Sequence, residues 1–302
     1  MTISNATHRA LLLMVGSAML FGAMAFTAKL SSARLSGSQV AMIRFATGLL
    51  PALLIPRFRA SAFTFQRMDL LFYRGFFGGA AVLCYFIAIE KTTAGVATLL
   101  NYTSPLFSGI FSMLFLHEKI SGRVLIPMPV ALAGVFLVVQ ANTPPGQILG
   151  FGILCGIASS LLSGAAVTAM RAARQTGENS WAVYTSFGLF GTLLTMPFAI
   201  ATWKNPTSSE WLALAATSFF AVGAQLLLTF SLRWVDAMTV GVISQLAVIV
   251  AMALGATFIG ERITTTAAIG AALTIGGVVG VVYVTSLAKK TVRAADEVAP
   301  EA

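Results

Sequence analysis

One motif occurs twice in this chain, at positions 143 residues apart. The segment 115–121 reads FLHEKIS and the segment 258–264 reads FIGERIT, which aligns Glu118 with Glu261. The same offset aligns further residues, among them two Phe-Phe pairs and two glycine-rich stretches. A repeat of this length exceeds the units of solenoid proteins, so it indicates a duplicated helical bundle.

The composition predicts that this bundle lies in a membrane. The chain is 57% hydrophobic and 10% charged, with a mean hydropathy of +0.87, whereas a soluble domain is about 25% charged. Its 19 basic residues lie mainly at the ends of apolar runs and form no basic stripe, which argues against a nucleic-acid partner. Cys84 and Cys155 both fall in apolar runs, so we expect no disulfide, no metal site and no cofactor.

Apolar runs of about 20 residues predict an all-α membrane protein with ten transmembrane helices. They form two five-helix repeats, 1–144 and 145–288, followed by a polar tail, 289–302, that we expect to be disordered. The predicted spans are 10–28, 38–56, 69–90, 93–115, 123–140, 147–169, 181–203, 209–231, 236–258 and 264–287.

The distribution of positive charge predicts the orientation of these spans. With the N-terminus in the cytoplasm, twelve Lys and Arg lie on the inner side and five on the outer side. Both termini are then cytoplasmic, which suits an inner cell membrane protein. Each half has five spans, so the two halves are inverted around a central cavity, with Glu118 inside and Glu261 outside. Inverted repeats of this kind are typical of transporters that work by alternating access.

Polar residues form a stripe on the fourth span, at the helical spacing of a single face. The repeat places small or polar residues on the corresponding face of the ninth span, including Ser244 and Gln245. Asn101 and Gln245 either line a cavity or hydrogen-bond across helices. Pro105 is expected to interrupt the fourth span and to free the carbonyl of Asn101, or else to shape packing only. The stripe consists of Thr98, Asn101, Tyr102, Pro105, Ser108 and Ser112.

Other spans contribute further candidates. Tyr85, Ser163 and Gln225 are possible cavity-lining residues. Arg44 and Arg74 are expected to reach the lipid headgroups, with anion binding as the alternative. No Asp, Glu or His lies deep in a predicted span, so we expect transport without a buried proton relay. The sequence contains no catalytic motif, and we therefore predict that the protein is not an enzyme.

The two-half organisation and the paired Glu-Lys and Glu-Arg motifs resemble the drug/metabolite transporter superfamily of the EamA type, over almost the whole chain. The segment NYTSP, from Asn101 to Pro105, together with Tyr85, further resembles the amino-acid exporter branch, including exporters of aromatic amino acids. Aromatic exporters carry Trp near the positions of Ser104 and Ser163. Serines at these positions imply a roomier or more polar cavity and a broad range of amino acids.

The resemblance and the residues together predict a secondary transporter that exports amino acids, with a small-molecule substrate and the lipid bilayer as its partners. Two alternatives stay open: an exporter of drugs or other neutral metabolites, and a channel or non-transporting membrane protein. The oligomeric state is not determined by the sequence. The predicted substrate-binding residues are Tyr85, Thr98, Asn101, Tyr102, Ser104, Pro105, Ser163, Gln225, Ser244 and Gln245.

Overall fold

The computed structural model describes residues 3–56, 59, 62–116, 126–142, 150–231 and 243–298. The regular secondary structure of this part of the chain is helical, and it contains no strand. Glu118 lies outside the described residues. The helices are α1 (Ile3–Ser31), α2 (Gly37–Gly48), α3 (Leu50–Leu54), α4 (Met68–Lys91), α5 (Ala94–Asn101), α6 (Ser104–Leu116), α7 (Pro127–Asn142), α8 (Phe151–Gln175), α9 (Ser180–Ala201), α10 (Ser208–Ser231), α11 (Leu246–Leu254) with a π-helical turn (Gly255–Ile259), and α12 (Thr265–Val298).

Seven helical segments in the described part are long and apolar enough to cross a membrane. Two shorter apolar helices, Pro127–Ala141 and Leu246–Ile259, fall on the predicted fifth and ninth spans. The predicted fourth span is divided between α5 and α6. The structure is that of an all-helical membrane protein, and the count of ten spans stays a prediction.

Polar side chains fix the starts of several helices at the positions where their backbone N–H groups lack partners. The Ser36 hydroxyl accepts a hydrogen bond from the backbone N–H of Gln39 at the start of α2, at 3.2 Å. The Thr93 hydroxyl does the same for the N–H of Val96 in α5, at 3.1 Å. Because of these caps, α2 and α5 can each begin after a short connection from the preceding helix.

The core is built from helix pairs that are distant in sequence. α4 packs along α8, α1 packs along α10, and α7 packs along α12. α9 contacts both α2 and α4, while α11 contacts α1 and α5. The contact between α4 and α9 needs glycine on α4, because a Cβ atom added at Gly79 would lie 2.9 Å from the Cα atom of Gly191.

The last helix extends beyond the predicted final span. α12 continues to Val298, although the span was predicted to end at 287 and the tail after it to be disordered. The expectation of disorder is therefore wrong as far as Val298. The polar sequence after 287 ended the apolar run, but a run of helix-forming residues such as Ala, Lys, Arg and Glu can continue a helix outside a membrane.

Candidate functional site

The break in the fourth span lies two residues before Pro105. α5 ends at Asn101, and α6 begins at Ser104 with Pro105 in its first turn, where the missing N–H group is tolerated. The carbonyl that gains a new partner is that of Tyr102, rather than that of Asn101 as predicted: it accepts a hydrogen bond from the Gln245 side-chain amide at 3.3 Å. Gln245 is buried, and this bond joins the fourth predicted span to the ninth.

A second group of polar side chains surrounds Asn101, and we call Tyr85, Thr98, Asn101, Ser159 and Ser163 the Asn101 cluster. The Asn101 side-chain oxygen accepts hydrogen bonds from the hydroxyls of Ser159 (2.8 Å) and Ser163 (3.1 Å) on α8. The Tyr85 and Thr98 hydroxyls are 2.8 Å apart, and Thr98 also donates to the carbonyl of Ala94 at 2.6 Å. The cluster therefore satisfies most of its own hydrogen-bonding groups.

The remaining predicted site residues lie on either side of this cluster. Ser104 and Pro105 form the first turn of α6, and Ser244 precedes Gln245 at the start of α11. The Asn101 amide nitrogen has no hydrogen bond to any residue the structure describes, so it keeps a donor that a ligand can use. Gln225 on α10 lies apart from the cluster, in the wall of a cavity.

This cavity is lined by α2, α9 and α10 and has a volume of about 20 Å³. A volume of about 10–15 Å³ holds one water molecule, so the cavity holds one or two groups of that size. Its polar lining side chains come from Arg44, Tyr184 and Gln225, and the Tyr184 hydroxyl donates to the carbonyl of Gly48 at 2.7 Å. Of the ten predicted site residues, Gln225 is the one in this wall.

Arg44 and Arg74, which we call the arginine pair, do not reach the headgroups as predicted. The Arg44 guanidinium carbon lies 4.9 Å from the centre of the Phe45 ring and 5.5 Å from that of Phe187, and only 8% of the residue is exposed. The Arg74 guanidinium carbon lies 4.1 Å from the same Phe187 ring. A Cβ atom at Gly78 would lie 2.2 Å from Arg74 Nη1, so this glycine leaves room for the guanidinium.

The sequence favoured a headgroup contact for the arginine pair and gave anion binding as the alternative. Arg44 is seven residues from the start of α2, about 10 Å along the helix axis, and a long side chain at that depth can reach a headgroup if its helix face points to lipid. In the structure this face of α2 packs against α9, which contributes Phe187. The sequence did point to a function for both arginines, because a charged residue inside a membrane span is a functional candidate.

An open groove adjoins the cavity between α2, α3 and α10. It has a volume of about 360 Å³ and shares Val222 with the cavity wall. Thr47 and Ser218 contribute hydroxyl groups, and the other side chains of the groove are apolar. They belong to Leu50, Pro51, Leu54, Ile55, Phe219 and Val222.

The opposite ends of α2 and α10 are held together by four residues that we call the outer latch, after the side on which the predicted orientation places them: Arg34, Gln39, Lys204 and Glu210. Arg34 donates from Nε and Nη2 to the two Glu210 carboxylate oxygens, at 2.8 and 2.5 Å. The Lys204 ammonium donates to the carbonyl of Arg34 at 2.9 Å. Gln39 donates to the Lys204 carbonyl at 2.8 Å and accepts from its backbone N–H at 3.2 Å.

Glu261 of the repeated motif holds the start of α5 at this same end. Its carboxylate accepts a hydrogen bond from the backbone N–H of Ala94 at 3.1 Å, where the positive end of the helix dipole stabilises an anion. Burial raises the pKa of Glu261, while the N–H of Ala94 and the charge of Lys29 oppose that shift. Glu261 therefore anchors the start of α5 through this contact.

The sequence matches the model of the EamA-like transporter family twice, over residues 8–140 and 150–283. The chain belongs to this family. It is 27% identical over 221 residues to the pseudopaline exporter CntI of Pseudomonas aeruginosa, which is 72% of this chain and 76% of that protein. The uncharacterized transporter YetK of Bacillus subtilis is 27% identical over 220 residues, or 69% of this chain and 64% of that protein.

A solved crystal structure shares the fold of this EamA-like transporter. The superposition has a TM-score of 0.66 at 19% sequence identity and covers 93% of this chain and 99% of the other. At that identity the likeness concerns the fold alone. Family and fold together make the protein a multi-pass membrane transporter of small molecules.

Proposed function

We propose that this protein exports amino acids across the inner cell membrane by alternating access, with both termini in the cytoplasm. The observation that carries the proposal is a difference between the two ends of the helix bundle. The outer latch holds α2 and α10 together at one end, while the groove separates α2 and α3 from α10 towards the other. We take the groove as the path to the cavity from one side of the bundle, and access from one side at a time is what alternating access requires.

The packing of the helices supports two inverted halves, 1–144 and 145–288. In span numbers, the third packs along the sixth and the eighth along the first, and exchanging the halves converts one pair into the other. The fifth packs along the tenth and the second along the seventh, and the same exchange leaves these pairs unchanged. A pseudo-two-fold axis between the halves produces this pattern, and with five predicted spans in each half such an axis lies in the membrane plane.

The two states differ, in this proposal, at the contacts between the halves. The outer latch connects residues of the first half to residues of the second, and so does the bond from Gln245 to the Tyr102 carbonyl. Opening the outer end requires the latch to break, whereas the packing within each half stays as it is. The exposed position of the Arg34–Glu210 pair suits this role, because solvent-exposed ion pairs are weak enough to be exchanged.

The chemistry of the site favours a small zwitterion. The proposed contacts are amide, hydroxyl and carbonyl groups: Tyr85, Thr98, Asn101, Tyr102, Ser104, Pro105, Ser163, Gln225, Ser244 and Gln245. Such dipoles hold the ammonium group of a zwitterion without a fixed counter-charge, although weakly. Weak binding suits an exporter that meets a high cytoplasmic concentration of its substrate.

Proteoliposome flux tests the proposal. We expect saturable flux of several labelled amino acids, reduced by competing amino acids and little affected by hydrophobic cations. Inhibition by the cations alone would instead indicate a drug exporter, and non-saturable ohmic current would indicate a channel. Either result would contradict the proposed function.

A further inference from the structure

The arginine pair lacks a partner for its charge. The buried Nε atoms of Arg44 and Arg74 have no hydrogen-bond partner, and within the described part of the chain neither side chain forms an ion pair. Both guanidinium carbons lie within 5.5 Å of the centre of one ring, that of Phe187, so two positive charges share one region. Removing an ion from water costs several kcal/mol unless an opposite charge or hydrogen bonds compensate for it.

The contacts that these side chains do make are not sufficient compensation. The faces of Phe45 and Phe187 attract the guanidinium groups, but an aromatic face offers no hydrogen-bond acceptor in the plane of the guanidinium. The Tyr184 hydroxyl, in the same cavity wall as Arg44, is a dipole rather than a charge and donates to the carbonyl of Gly48. An anion is the kind of group that compensates two positive charges in one region.

The shape of the cavity selects among anions. Arg44 forms part of the wall of the cavity of about 20 Å³, which has room for the two oxygens of a carboxylate. A guanidinium group binds a carboxylate through two parallel N–H···O bonds, which matches its planar arrangement of donors. The adjoining groove of about 360 Å³ has a mostly apolar lining, and this volume lies in the range of small-molecule sites.

We propose that Arg44 binds the carboxylate of the transported molecule, that Arg74 adds a second positive charge beside the same ring, and that the apolar part of the molecule lies in the groove. This inference rests on the proposed function and narrows it: the preferred substrates are amino acids with apolar side chains. Molecules of the same shape without a carboxylate are excluded, because they leave the guanidinium without a counter-charge.

Ligand-induced stabilisation tests the inference without a transport assay. The purified protein in phosphatidylcholine nanodiscs is heated with leucine, with leucinamide, with isovalerate or without additive. We expect leucine and isovalerate to raise Tm in the wild type and leucinamide to leave it unchanged. In Arg44→Gln we expect the Kd of leucine to rise at least about tenfold, the loss typical of a charged hydrogen-bonding partner. Arg44→Lys keeps the positive charge but loses the paired N–H donors of the planar guanidinium, so we expect a Kd between those of the wild type and Arg44→Gln.

Arg262→Gln is the matched control, because it makes the same substitution at an exposed residue. It should keep the wild-type response to leucine. Equal stabilisation by leucine and leucinamide, or an unchanged Kd in a folded Arg44→Gln protein, would overturn the inference. So would an Arg44-dependent rise in Tm with phosphatidylglycerol nanodiscs and none with the carboxylates, since the bound anion would then be a lipid phosphate.

The same proteins in the flux assay separate the two proposals. Saturable amino-acid flux with Arg44→Gln behaving as wild type would contradict the carboxylate site and leave the transport function standing. Arg44-dependent binding of carboxylates without any amino-acid flux would contradict the proposed function and leave the site standing.

Discussion

The Asn101 cluster and the arginine pair are two polar regions inside the same helix bundle, and they differ in how their hydrogen-bonding groups are satisfied. In the cluster, Ser159 and Ser163 both donate to Asn101, and Tyr85 pairs with Thr98. In the arginine pair, both Nε atoms are buried without a partner among the residues that the structure describes. A polar group that is paired within the protein stabilises the fold, whereas a buried group that is left unpaired can bind a ligand. A polar side chain inside a span is thus a weaker indication of a binding site than a buried polar group without a hydrogen-bond partner.

The largest expected effect is an increase in stability when Arg44 is removed. Arg44→Met keeps an unbranched, flexible side chain and removes an uncompensated buried charge, so the ligand-free protein should gain about 1–4 kcal/mol in unfolding free energy. Thermal unfolding in nanodiscs measures this gain, with the exposed Arg262→Met as the control. A clear loss of stability in Arg44→Met would mean that the guanidinium is already well compensated.

The opposite sign is expected in the cluster. Asn101→Ala leaves the hydroxyls of Ser159 and Ser163 without their acceptor, so the unfolding free energy should fall by about 1–3 kcal/mol. Amino-acid flux should fall less than in Arg44→Gln. The double variant Asn101→Ala with Ser159→Ala should lose less than the sum of the two single changes, and full additivity would argue against the pairing.

A smaller effect is expected at the outer latch. Arg34→Gln removes an exposed pair with Glu210, so it should shift the conformational balance a few-fold rather than abolish transport. The readout is the rate at which an impermeant maleimide added outside labels Gln225→Cys, in a background with Cys84→Ser and Cys155→Ser. We expect faster labelling than with an intact latch. The charge exchange Arg34→Glu with Glu210→Arg should restore the slow rate, and failure to do so would argue against the latch.

The smallest expected effect is on the pH dependence of stability and concerns Glu261. Its carboxylate is partly buried and partly hydrogen-bonded, so it is satisfied less well than the cluster and better than the arginine pair. Its pKa is raised above the ordinary value of 4.5, so the folded state binds this proton more tightly than the unfolded state. The resulting stabilisation is present below about 4.5 and is lost as the pH rises through the raised pKa. Tm measured from pH 4.5 to 7 should therefore depend less on pH in Glu261→Gln than in the wild type or Arg262→Gln, and identical slopes would contradict this assignment.

Much of the architecture could be predicted because it depends on local properties. Runs of about 20 apolar residues specify spans, and caps such as Ser36 and Thr93 lie directly before the helices they begin. The resemblance to the EamA family was likewise confirmed by two matches of the family model. An interruption of the fourth span near Pro105 was also predicted, since a proline in a helix interior removes a backbone hydrogen bond and kinks or breaks the helix.

The positions and partners of the buried polar groups could not be predicted in the same way. The depth of Arg44 along α2 is readable from the sequence, but its contact with Phe187 depends on how α2 rotates against α9. The engagement of the Tyr102 carbonyl depends likewise on Gln245, which is 143 residues away. Such contacts are tertiary, and a pattern within one helix does not specify them.

The most direct test of the central claim compares the flux of labelled leucine and of leucinamide through wild-type, Arg44→Gln and Asn101→Ala proteoliposomes. An unpaired Arg44 that binds the carboxylate predicts that the wild type strongly prefers leucine, that Asn101→Ala keeps this preference at a reduced rate, and that Arg44→Gln loses the preference. The account is contradicted if Arg44→Gln still prefers leucine as the wild type does while Asn101→Ala loses the preference.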